Sequence, residues 1–317
     1  MNPELTRLLW LEFTPSRVAS VLVALFAVLG LGWLIDDQTI GTKTASFALA
    51  AFAIVTVAWG ANQVGQSLLE EIRGRTWDQQ RMSALSPWTM TWGKLAGASA
   101  MAWLAGLIAL AAYALGGAHG AELLWKLLLL LSGAVLIHGM SLFGALLLLQ
   151  RGPAGRSSMV LRLVGGLVVA WAALAFVRSE TGVVEWFGTR YPLLAFTASV
   201  VCLLAAWIVY GSERLMCEAL QLRTRPFALL AFLVFATGLA AGFVVGAGTA
   251  PATRVLLTAA CGLGVALLTA YFSAFALRGD PLLPRRLAVD ARRRDWARVG
   301  AALPVWLAVS YTHLRAH

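Results

Sequence analysis

The strongest constraint in this chain is a series of uninterrupted apolar runs, each about as long as a bilayer is thick. Roughly 20 helical residues cross ~30 Å of hydrocarbon. Runs of that order lie at 18–34, 46–64, 95–115, 127–149, 163–177, 193–210, 227–245 and 255–277. Within hydrocarbon the backbone must satisfy its own hydrogen bonds, so only helices or closed barrels span it. These runs are continuous rather than alternating, which excludes a barrel. The expected fold is all-α: a polytopic transmembrane helical bundle of at least eight spans, with a ninth that starts at Gly300 and is cut short. The charge content agrees, at 13% of residues against about 25% in soluble domains.

Lys and Arg set the expected orientation. With the N-terminus placed in the cytoplasm, nineteen of them fall on inner segments and five on outer ones, Arg315 being set aside. The outer five are Lys43, Lys126, Arg178, Arg190 and Arg254. This bias obeys the positive-inside rule and puts the 66–94 loop in the cytoplasm. It also accounts for the net charge of +10 through topology and attraction to anionic lipid, so no nucleic-acid partner is needed. Cys202, Cys217 and Cys261 are widely spaced and form neither a disulfide framework nor a metal motif.

Around the transmembrane unit, 18–277, the chain divides by composition. Residues 1–17 mix Leu5, Leu8, Leu9 and Leu11 with Glu4, Arg7 and Glu12, and Trp10 is suited to the interface. That pattern predicts an amphipathic helix lying in the membrane plane. No cleavable leader is evident, and the first run is long enough to be retained as an anchor. Residues 278–299 form a basic linker, in which 290–299 reads equally as the start of a second membrane unit or as a basic stop. Residues 300–308 begin the further span. Residues 309–317 break that apolar run abruptly and resemble a translated sequencing adapter, so His313, Arg315 and His317 receive no functional weight.

Catalytic signatures are missing from the sequence. Gly93 and Lys94 lack the upstream glycine of a phosphate-binding loop and are followed by Leu95. No zinc-ligand spacing or nucleophile elbow occurs. Asp36 with Asp37, and Glu180 with Glu185, read as solvated loop charge. No span carries a charged residue near its centre, which argues against ion-coupled transport. His138 lies inside the fourth run, where bonding to a neighbouring helix is the simplest expectation. Gly93 with Gly97, and Gly242 with Gly246, permit close helix approach.

The polar 66–94 loop is long and patterned. Leu68, Leu69, Ile72, Met82 and Leu85 can share one helical face, with Glu70, Glu71, Arg73, Arg75, Asp78 and Arg81 on the others. Gly74 allows a bend, Pro87 limits the helix at Ser86, and Trp88 and Trp92 anchor the re-entry. From the residues alone this is a docking helix or a plain interfacial one.

Here the chain resembles the permease subunits of type-2 ABC transporters. The resemblance rests on the acidic pair Glu70 and Glu71, the turn Gly74-Arg75-Thr76, the step Ser86-Pro87 and the re-entry Gly93-Lys94-Leu95. It is strong over 1–97, and beyond that only hydropathy and topology agree. It implies that 1–17 is an elbow helix and that the loop is a coupling helix seated on a separate cytoplasmic ATPase, which binds ATP and Mg. This chain would then hold no cofactor and no ATPase motif of its own. The implied coupling residues are Glu70, Glu71, Gly74, Thr76, Asp78, Arg81, Ser86 and Pro87. The expected setting is a bacterial inner membrane, with lipids around the spans and a second copy or second permease half beside them. The alternative is a scaffold or membrane-embedded enzyme whose active residues lie beyond residue 308. The transported substrate is not encoded in any motif.

Overall fold

In the computed structural model the described residues are 2–83, 85–117, 121–151, 182–222, 228–246 and 249–276, with 289, 292–294 and 296 besides. The expected spans at 163–177 and from 300 onward, the linker and the tail fall outside them, apart from those isolated linker positions.

Helix α1 (Pro3–Glu12) opens on a strong start signal. Asn2 Oδ1 accepts hydrogen bonds from the amides of Glu4 and Leu5 at 3.1 and 3.2 Å, and Pro3 occupies the first turn. α2 (Pro15–Ile35) is the first long apolar helix. It turns sharply through Asp37 and Gln38, both in the left-handed region, into α3 (Thr42–Ala51). Asp36 holds this turn together. Its carboxylate accepts from the Thr44 amide at 2.6 Å, the Thr44 hydroxyl at 2.9 Å and the Lys43 amide at 3.2 Å. The acidic pair read as solvated charge thus contains one helix cap, since the first amides of any helix lack intrahelical partners.

The second span continues unbroken from α3 through a π-helical stretch, Phe52–Trp59, into α4 (Gly60–Arg73), 32 residues in all. Beyond it come the short helices α5 (Trp77–Arg81) and α6 (Pro87–Trp92). A second π-helical stretch, Gly93–Gly97, leads to α7 (Ala100–Gly116). The third span is therefore two pieces, Pro87–Gly97 and Ala100–Gly116, meeting at 54°. α8 (Ala121–Arg151) follows. Five described helices are long and apolar enough to cross a membrane, or six with the bent pair taken as one.

A β-hairpin, β1 (Val183–Trp186) and β2 (Thr189–Pro192), forms the one sheet among the described residues. Its two-residue turn uses Phe187 and Gly188 at positive φ, the geometry that matches the strands' twist. α9 (Leu193–Ala219) starts directly from the hairpin, followed by α10 (Ala228–Val244) and α11 (Pro251–Ala276). The hairpin clamps onto α10. Trp186 Nε1 donates to the Leu239 carbonyl at 3.2 Å, and the Phe187 amide donates to that of Gly242 at 2.7 Å. Only a glycine leaves room for the indole here, because a Cβ on Gly242 would lie 1.9 Å from Trp186 Nε1.

The spans are joined by small polar contacts. His138 on α8 pairs with the Thr56 carbonyl at 2.8 Å, and Thr56 Oγ1 donates to the Ala102 carbonyl at 3.1 Å. Ser141 Oγ donates to the Ala61 carbonyl at 2.6 Å. His138 is thus a structural bond between helices, as the sequence leads one to expect. One apolar core, around Val64, Leu68, Met90, Leu142, Leu146 and Met216, lies beneath the 66–94 loop.

Candidate functional site

The loop is not one helix. α4 stops at Arg73, Gly74 closes it with its amide on the Glu70 carbonyl at 2.8 Å, and Arg75 takes a left-handed φ of 57°. The chain restarts as α5, so the stripe anticipated along 66–86 is divided. Leu68 is fully buried, and Leu69, Ile72 and Leu85 pack against the same core, but Met82 is 82% exposed. Trp77, unremarked in the sequence, is buried in its place. The cause is backbone geometry: a left-handed residue rotates everything after it off the original helical face.

The implied coupling residues separate into three kinds. Glu70, Asp78 and Arg81 are exposed. Gly74, Thr76, Ser86 and Pro87 shape the backbone: Thr76 Oγ1 donates to the Glu71 carbonyl at 3.2 Å, and Ser86 Oγ accepts from the Thr89 amide at 3.1 Å, capping α6 just ahead of Pro87. Glu71 faces inward. It is 9% exposed.

Around Glu71 stands a closed ring of four charges drawn from three elements. Lys94, with no exposed surface, bonds both Glu71 and Glu4, the latter at 3.2 Å. Arg7 reaches the same two carboxylates, Glu71 at 2.6 Å and Glu4 at 2.9 Å. Gln80, from α5, adds a bond to Glu71 at 2.8 Å. Two carboxylates and two cations sum to zero, which is what burial of charge demands. Burial tends to raise the Glu4 pKa, but the bond to Arg7 and the nearby charges of Lys94 and Arg7 outweigh it and hold the carboxyl below its ordinary value. The same carboxylates push Arg7 upward.

The ring closes because α1 lies directly on the start of the third span. A Cβ on Gly93 would come within 2.5 Å of Glu4 Cγ, and one on Gly97 within 2.8 Å of Leu8 Cβ. The small-residue spacing found in the sequence is therefore the seat of α1. Asn2 Nδ2 donates to the Thr89 carbonyl at 2.8 Å and secures the other end. Trp10, Leu11 and Phe13 remain exposed, as suits a helix in the membrane surface. Glu4, Arg7 and Lys94 were missed as site residues because each reads alone as ordinary amphipathic or flanking charge. The signal that could have found them is an acidic residue on a surface helix matched to Gly-x-x-x-Gly with an adjacent lysine.

Beside the ring a cleft of about 410 Å³ opens between the loop and the ends of two spans. Arg75, Asp78 and Arg81 line one wall, and Leu149, Glu218 and Gln221 the other.

The long apolar helices among the described residues, five or six of them able to cross a membrane, define a multi-pass membrane protein. Residues 34–192, half of the chain, match the family model described as ABC-2 family transporter protein, and the chain belongs to that family. Neither a curated protein nor a solved structure matches it. The match covers the whole 66–94 loop.

Proposed function

We propose that this chain is the permease subunit of an ATP-driven exporter in a bacterial inner membrane, working with a separate cytoplasmic ATPase that binds ATP and Mg. The supporting observation is the loop's construction: its exposed face carries Glu70, Asp78 and Arg81, while its inner face is fixed by the ring at Glu71. A surface that must transmit force to the spans needs such a rigid backing. Closure of the ATPase against α5 and the cleft would tilt the second and third spans, converting an inward-open path to an outward-open one. Coupling then requires only that the partner binds the two states unequally. A second copy or second permease half would complete the path.

Purification of the tagged protein in mild detergent, followed by mass spectrometry, tests the reading. A stoichiometric partner with a phosphate-binding loop is expected, and clean recovery without one overturns it. With that partner in hand, replacing both Asp78 and Arg81 by Ala should weaken the complex roughly five- to thirtyfold, given ~0.5–1 kcal/mol per exposed ion pair. An unchanged affinity would move the contact elsewhere on the loop.

A further inference from the structure

We propose that Lys94 is a positioning residue for coupling: by holding Glu4 and Glu71 it makes α1, the end of α4 and the start of the third span one rigid block, which pivots at Ala98 and Ser99. The inference rests on the coupling role proposed above and adds α1 to the moving part.

Three observations carry it. The ring joins α1, α4 and the 93–97 stretch through side chains with almost no freedom, Lys94 being 0% exposed and Glu4 3%. Loss of either cation leaves two buried carboxylates facing a single positive charge, so neither cation alone holds the block. Backbone contact reinforces the side chains, because Gly93 and Gly97 admit Glu4 and Leu8 at distances no side chain would permit. Just past the block the third span breaks. Its axis turns by 54° across Ala98 and Ser99, and the preceding turn is π-helical. π-helical turns and helix breaks are where helices change direction at least cost. A load applied to α5 reaches Glu71 through Gln80 and then meets α1 and Lys94 together. On the far side of the break α7 packs separately against α3 through Ala105, Ala109 and Tyr113. The chain thus has a stiff arm, a pivot and an anchored distal piece.

The test is a pair of spin-label distances in the complex with its co-purified ATPase, read without nucleotide and after trapping with Mg-ATP and vanadate. Labels replace Leu11 on α1, Met82 beyond α5 and Leu115 on α7, all exposed, in a background lacking Cys202, Cys217 and Cys261. The 11–82 distance should stay constant on trapping, within the ~1 Å thermal amplitude of a packed element, while the 11–115 distance shifts by more than that. In Lys94→Met the 11–82 distance should change or broaden on trapping, and Lys94→Arg should restore it. Should Lys94→Met fail to insert, Arg7→Gln opens the ring from its solvent side and is expected to behave alike. A changing 11–82 distance in the unaltered complex overturns the block. A constant one in both Lys94→Met and Arg7→Gln overturns the ring's role. Absence of any co-purifying ATPase instead defeats the coupling reading, so the two failures are distinguishable.

Discussion

Lys94 carries a charge where no solvent reaches it, and it is tolerated only because two carboxylates meet it there. Deleting one member of such a group costs about 3–5 kcal/mol, since the partner is left charged and buried. The ring therefore has a pH signature. Glu4 titrates below its ordinary value in the folded protein, so it favours folding at neutral pH and loses that contribution as pH falls through its lowered pKa. Asp36, held down chiefly by the Thr44 amide, acts in the same direction at the opposite end of the second span. Arg7 stays protonated throughout and contributes no slope. Thermal midpoints in detergent should be level between pH 7 and 5 and fall below about pH 4, where free carboxylates take up protons. Glu4→Gln should be less stable at neutral pH yet show a shallower acid fall. An equally steep fall in that variant would place the titrating group elsewhere.

At the scale of elements, the irregular turns are what the polar groups hold in place. His138 takes the Thr56 carbonyl within the Phe52–Trp59 stretch and faces Ser99 at the third span's break, 3.5 Å away. His138→Ala removes that carbonyl's bond to the ring in a dry setting, which costs about 1–3 kcal/mol. The loss should appear as a lower thermal midpoint with faster amide exchange confined to 52–59 and 93–99. Uniformly faster exchange would mean that the residue supports general packing instead. Among the described residues, the positions of the five or six long apolar helices were legible from hydropathy, since ~20 apolar residues in succession have few other options. The π-helical stretches were not, because a one-residue change in hydrogen-bond register leaves composition untouched. The division of the 66–94 loop was half legible: Gly74 marked the bend, but the left-handed residue is Arg75, whose type gives no warning. Glu71 shows the same limit, since a glutamate on an amphipathic helix looks identical whether it faces a partner or a buried lysine.

For the whole molecule, the strongest remaining check is the side of the membrane on which each end lies. α9 runs from the hairpin at Leu193 to the cleft at Glu218 and Ala219, about 40 Å at 1.5 Å per residue. That length exceeds the hydrocarbon thickness, so the hairpin and the 66–94 loop lie at opposite ends of a membrane-crossing helix. Leu149, near the end of α8, lines the same cleft. The arginine bias of the sequence predicts a cytoplasmic loop. A single cysteine at Met82, 82% exposed, should therefore react with an impermeant maleimide only after permeabilisation. One at Val183, 63% exposed, should react in intact cells. The reverse pattern would keep the bundle but invert it, placing the loop out of reach of any cytoplasmic ATPase. Labelling of both from one side would remove the path of α9 across the membrane. The expected pattern alone lets a cytoplasmic protein press on α5 while the hairpin end of α9 and α10 faces the exit.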